Sequence, residues 1–118
     1  PGAKLTCGVS TETTGTPGDD TITGGGDNDT ISGAAGGDTI VGGGGADVLN
    51  GDAGADAITG GTGTDTLAGG ADADTLNGAA GVDNINGGAG ADVLVFNTGD
   101  VGTNETISGG ADSDTIKS

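Results

Sequence analysis

The chain has no histidine, methionine, tryptophan or tyrosine, and among its 118 residues there are one cysteine, one phenylalanine and two basic side chains. Each absence closes a class of function. Without histidine, and with Cys7 alone, no thiolate or imidazole set can be assembled for a transition metal. No serine-centred motif is present, and Lys4 and Lys117 are the only cations, so nucleophilic and acid–base catalysis lack their usual groups and no enzyme is expected. Eighteen acidic side chains against two basic ones give a formal charge of −16, which repels both nucleic acid and an anionic membrane surface. No stretch reads as a cleavable signal peptide or a transmembrane span. With Phe96 the single aromatic residue, an ordinary globular core cannot be built, and composition alone suggests disorder.

What the sequence does have is glycine, 30 residues of it, and a strict period. A bulky aliphatic residue recurs every nine positions: Ile22, Ile31, Ile40, Leu49, Ile58, Leu67, Leu76, Ile85 and Leu94. Two residues before each stands an aspartate: Asp20, Asp29, Asp38, Asp47, Asp56, Asp65, Asp74, Asp83 and Asp92. Seven residues before each stands a glycine: Gly15, Gly24, Gly33, Gly42, Gly51, Gly60, Gly69, Gly78 and Gly87. Self-similarity of this kind marks a structure made by stacking one unit. A nine-residue spacing fits neither a 3.6-residue helix nor a long alternating strand. Each aliphatic residue is therefore expected to be one inward anchor on a strand of about three residues, with a six-residue turn between anchors. Glycine at the first two turn positions permits positive φ and close approach of neighbouring backbones. Asp27, Asp72 and Asp112 occupy the fourth position, a mild departure because aspartate tolerates a left-handed backbone.

The unit Gly60-Gly61-Thr62-Gly63-Thr64-Asp65-Thr66-Leu67-Ala68 matches G-G-x-G-x-D-x-U-x, with U a large aliphatic residue, and Gly109 to Lys117 fits again. In these units the chain resembles the RTX family of secreted calcium-binding proteins. The resemblance implies an all-β fold, a right-handed parallel β-roll or β-solenoid in which G-G-x-G-x-D is a calcium-binding turn and x-U-x a short strand. Successive turns would fall on alternate edges, so that one coil is two units, or 18 residues. A calcium ion would then sit between turns n and n+2, held by two sixth-position carboxylates and by carbonyl oxygens of the early turn glycines. On this reading Asp20 pairs with Asp38, Asp29 with Asp47, and so on to Asp74 with Asp92.

Calcium also suits the residues themselves. It is a hard cation that takes six to eight oxygens from carboxylates and carbonyls in a tolerant geometry. About seven divalent ions in the uninterrupted run would offset most of the formal −16. The anchors bury too little apolar surface to order a chain this rich in glycine, so folding is expected to need the ion.

Three segments follow from the pattern: 1–14 without repeat, 15–95 as a nine-unit roll, and 96–118 as an insertion followed by two irregular units. In the first segment Leu5 and Val9 could form a short strand, and Cys7 reads as an inert small residue or a site of intermolecular bonding. The first unit carries Thr16 and Pro17, and the units at Gly33, Gly51 and Gly78 lack the second glycine. After Leu94 the next anchor, Ile107, comes thirteen residues on, with Glu105 in the aspartate column. Asp114 in the last unit would find its partner in Asp92. Asp19, Asp52 and Asp100 read as surface charge. The leading function is a secreted calcium-binding repeat module. The alternatives are an extracellular building block that self-associates end to end through uncapped coils, and an ice-binding face carried by Thr21, Thr23, Thr39, Thr59 and Thr75.

Overall fold

The computed structural model describes residues 2–6, 12–97 and 105–118. Among them are short strands and no helix: β1 (Lys4–Thr6), β2 (Glu12–Thr14), β3 (Thr21–Gly25), β4 (Thr30–Ser32), β5 (Thr39–Gly44), β6 (Val48–Ala53), β7 (Ala57–Gly63), β8 (Thr66–Ala71), β9 (Thr75–Gly81), β10 (Asn84–Ala89), β11 (Val93–Val95), β12 (Thr106–Ala111) and β13 (Thr115–Lys117). The odd-numbered strands form a seven-stranded sheet in sequence order, and the even-numbered ones a six-stranded sheet. All of their pairings are parallel.

The turns set this topology. Each six-residue turn sends the chain to the opposite wall, so a strand cannot pair with its successor and pairs with the one after it. Ile22 stands beside Ile40, Ile31 beside Leu49, and Ile58 beside Leu76, each 18 residues apart. The result is a β-solenoid of two units per coil. Its nine anchors, from Ile22 to Leu94, are 0–1% exposed and form one stack between the walls, with Leu5 and Ile107 partly buried against it.

Five strands have the expected three residues (β1, β2, β4, β11 and β13), and the other eight are longer. β7 and β9 pair from Ala57 and Thr75 through to Gly63 and Gly81, so turn positions also join the ladder. Coils of equal length stack turn upon turn, which places each turn amide against its counterpart one coil away. Left-handed non-glycine residues mark where these turns bend: Ala34, Asp52 and Ala79 at the second position, Asp72 and Asp112 at the fourth. Asp27 is not among them.

The ladder runs on past the nine-unit stretch at both ends. Leu5 lies beside Ile22 and Thr13 beside Ile31, which gives the strand expected near Leu5 and adds a second at Glu12–Thr14. Val9, Cys7 and Asp100 lie outside the described residues. Beyond the insertion the chain is back in register, with Ile107 beside Ile85 and Ile116 beside Leu94. Half-buried Phe96 prolongs β11 by one bond, its N–H donating to the Lys117 carbonyl at 3.0 Å.

Candidate metal centre

An anchor that points inward puts the residue two positions earlier on the same side of the strand. The nine sixth-position aspartates are accordingly 0–3% exposed. Burying ionised carboxylates costs several kcal/mol each, on the order of the penalty for any buried charge, unless partners replace the lost water. One oxygen of Asp20, and of each aspartate from Asp38 to Asp92, has such a partner in the preceding coil. The N–H of Asp20 donates to Oδ1 of Asp38 at 2.7 Å, and the pattern repeats for Asp29 and Asp47, Asp38 and Asp56, Asp47 and Asp65, Asp56 and Asp74, Asp65 and Asp83, and Asp74 and Asp92 at 2.7–3.0 Å. These hydrogen bonds join aspartates 18 residues apart, the ones that the resemblance would place around a shared ion. Across the insertion the Asp92 N–H reaches Oδ1 of Asp114 at 3.1 Å.

The second oxygen is different. Oδ2 of Asp38, Asp47, Asp56, Asp65, Asp74 and Asp92 is buried and accepts no hydrogen bond, a situation native structures rarely leave uncompensated. Each of these atoms lies against the first glycine of its own turn. A Cβ at Gly42 would strike Oδ2 of Asp47 and the carbonyl oxygen of Gly60, and one at Gly60 would strike Oδ2 of Asp65 and the carbonyl of Gly78. The same two kinds of oxygen meet Gly15, Gly24, Gly33, Gly51, Gly69 and Gly87, while at Gly78 the nearest atoms all belong to Asp83. Carboxylate and carbonyl oxygens thus converge at the first turn position, which is the donor set a hard divalent cation takes. Among the described residues no three acidic, cysteine or histidine side chains gather as a metal-holding group, so backbone oxygens have to complete any such site.

The family model for the RTX calcium-binding nonapeptide repeat matches the chain four times, over residues 14–40, 32–67, 59–94 and 101–117. The chain belongs to the RTX calcium-binding repeat family. It is a calcium-binding repeat module. No curated protein and no solved structure matches it significantly.

Electrostatics in the RTX column follow from the geometry. Burial pushes the carboxyls of Asp38, Asp47 and Asp65 above the ordinary range, and those of Asp56 and Asp74 up to about 6. The backbone N–H bond from the preceding coil opposes the rise, and the carboxylate one coil earlier adds to it: Asp38 acts on Asp56, and Asp56 on Asp74. Asp20 moves the opposite way, because the Thr16 N–H that it accepts outweighs its burial.

Several residues that the RTX pattern leaves unassigned also join coils. Asp19 accepts the Gly37 N–H through Oδ1 at 2.9 Å, and Asn28 accepts the Ala46 N–H at 2.7 Å. The Ser32 hydroxyl donates to Oδ2 of Asp52 at 2.5 Å. Asp19 and Asp52 are exposed, as surface charges are, but both tie neighbouring coils together. Their only signal in the sequence is position. Asp19 and Asn28 are polar residues at the fifth place of the first two units, a place the motif does not specify.

Proposed function

We propose that this RTX module is secreted and folds outside the cell as it binds calcium. About seven ions sit between successive coils, from the Asp29 and Asp47 pair through the Asp74 and Asp92 pair, with Asp92 and Asp114 forming the last. The carboxylates of Asp29, Asp38, Asp47, Asp56, Asp65, Asp74, Asp83, Asp92 and Asp114 supply the charged ligands, and the first-position glycines from Gly42 to Gly87, with Gly109, supply carbonyl oxygens. The observation that carries this reading is the row of buried Oδ2 atoms that accept no hydrogen bond and face those carbonyls. Each ion bridges two coils, so one binding event orders the turn that the next ion needs, and uptake is cooperative. Extracellular calcium modules bind at roughly 10⁻⁴–10⁻³ M, a concentration the cytosol does not reach. The coil is then open inside the cell and closes after export. A calcium titration followed by circular dichroism tests it: a coil spectrum in chelator and a steep transition to a β-rich spectrum on adding calcium are expected. A β-rich spectrum in chelator at neutral pH would overturn it.

A further inference from the structure

We infer that Thr16 closes the first turn in place of calcium, so that Asp20 caps the solenoid and is not a ligand; this rests on the calcium sites proposed above. Both oxygens of Asp20 are already engaged by the protein. Oδ2 accepts the Thr16 N–H at 2.5 Å, while Oδ1 accepts the Thr16 hydroxyl at 2.8 Å and the Ala3 N–H at 2.5 Å. The same hydroxyl accepts the Gly18 N–H at 3.3 Å, which folds the turn onto itself. In six of the later turns Oδ2 has no such partner.

The backbone makes the same distinction independently. The second turn position is left-handed at Gly25, Ala34, Gly43, Asp52, Gly61, Gly70, Ala79, Gly88 and Gly110, but not at Thr16. A β-branched residue disfavours that region strongly. The fourth-position Gly18 is not left-handed either, whereas Gly36, Gly54, Asp72 and Gly90 on the same edge are. Pro17 holds the next φ near −65°, about the value set by its ring. The first turn therefore takes another path, and that path aims an N–H at the carboxylate where the later turns present none.

A cation between this turn and the turn ending at Asp38 would have to displace the Thr16 N–H, whose positive end points at the oxygen the ion needs. Three donors satisfy Asp20 without metal, and its own N–H then presents a fixed donor to Oδ1 of Asp38 at 2.7 Å. Calcium loading on this edge accordingly starts with Asp38 and Asp56, on a coil end held by protein hydrogen bonds.

Equilibrium dialysis of radioactive calcium against the full chain at saturation decides this, with folding checked by circular dichroism. Asp20→Asn should bind the wild-type number of ions, whereas Asp56→Asn should bind two fewer. Rebuilding the consensus turn with Thr16→Gly and Pro17→Gly should add one ion. Loss of one ion in Asp20→Asn, or no gain in the double glycine variant, overturns the inference. If Asp20→Asn does not fold, the double glycine variant decides by itself, since it keeps Asp20. A wild-type chain that binds no calcium, or an Asp56→Asn variant with the full number, refutes the underlying site assignment instead.

Discussion

The backbone N–H of Asp56 donates to Oδ1 of Asp74 at 2.8 Å, and Oδ2 of Asp74 is left buried without a hydrogen bond beside Gly69. One carboxylate thus does two jobs with two oxygens. Oδ1 is tied to the preceding coil and sets the side-chain orientation, while Oδ2 is aimed at the place where the carbonyl of Gly87 also points. The geometry leads to separate tests of ligand, glycine, backbone and charge.

Asp56→Ala should raise the calcium midpoint, read by circular dichroism, by at least about tenfold. It deletes the ligand shared by two sites and the acceptor of the Asp38 N–H, and a hydrogen bond to a charged group contributes about 1.5–3 kcal/mol. Asp52→Ala removes only an exposed bond to Ser32 and should shift the midpoint by less than about twofold. Equal midpoints for the two variants would refute the register of the ligand column.

Gly60→Ala places a methyl group on Oδ2 of Asp65 and the carbonyl of Gly78, whereas nothing lies within 4 Å of a Cβ added at Gly26. Urea unfolding in saturating calcium should show a loss of about 1–3 kcal/mol for the first, the range of an overpacked core. The second should stay close to wild type. A Gly60→Ala chain as stable and as tight for calcium as Gly26→Ala would show that the first turn position does not border the ion.

Ala34 and Ala79 hold φ of 83° and 74° at second positions where most units have glycine. Replacing either by glycine relieves a left-handed conformation that costs an L-residue about 1–2 kcal/mol, against about 0.4–1 kcal/mol for the freer unfolded chain. The expected net effect is a stabilisation of about 0.5–1 kcal/mol, visible as a higher urea midpoint. A lower midpoint would mean that the methyl groups contribute packing that outweighs the strain.

Asp56 and Asp74 titrate at about 6 in the folded coil against 3.8 in the open chain. A carboxyl raised on folding favours the fold when protonated, so its contribution is fully present below the open-chain value and is lost as pH rises through about 6. Chelated protein should therefore gain β signal when acidified from about pH 7 to about pH 4.5. Calcium reverses the sign: uptake needs the ionised form, so affinity should fall as pH drops through about 6, with proton release on binding near that pH. Chelated protein with no more β signal at low pH, or calcium affinity flat across this window, would show that these carboxyls are not buried as described.

Much of this was legible in the residues themselves. The nine-residue spacing of Ile22 to Leu94 determines which side chain of every strand points inward, and it carries Asp20 to Asp92 inward with it, because alternation along a strand is a local property. The two turns per coil that the RTX resemblance implies then fix the partner of Asp38 as Asp56 and of Asp47 as Asp65, since only a unit on the same edge can lie alongside. Other features depend on donors that arrive from elsewhere in the chain. That Glu12–Thr14 joins the wall and that Oδ1 and Oδ2 differ in role was decided only once the coils were stacked, whereas Asp114 meets Asp92 across the insertion as the register led one to expect. Thr16 shows the limit best. In the sequence it is a flaw in the glycine column, and only the folded turn brings its N–H onto Asp20. A hydrogen bond needs a distance and a direction, and periodicity supplies neither for a residue that departs from the period.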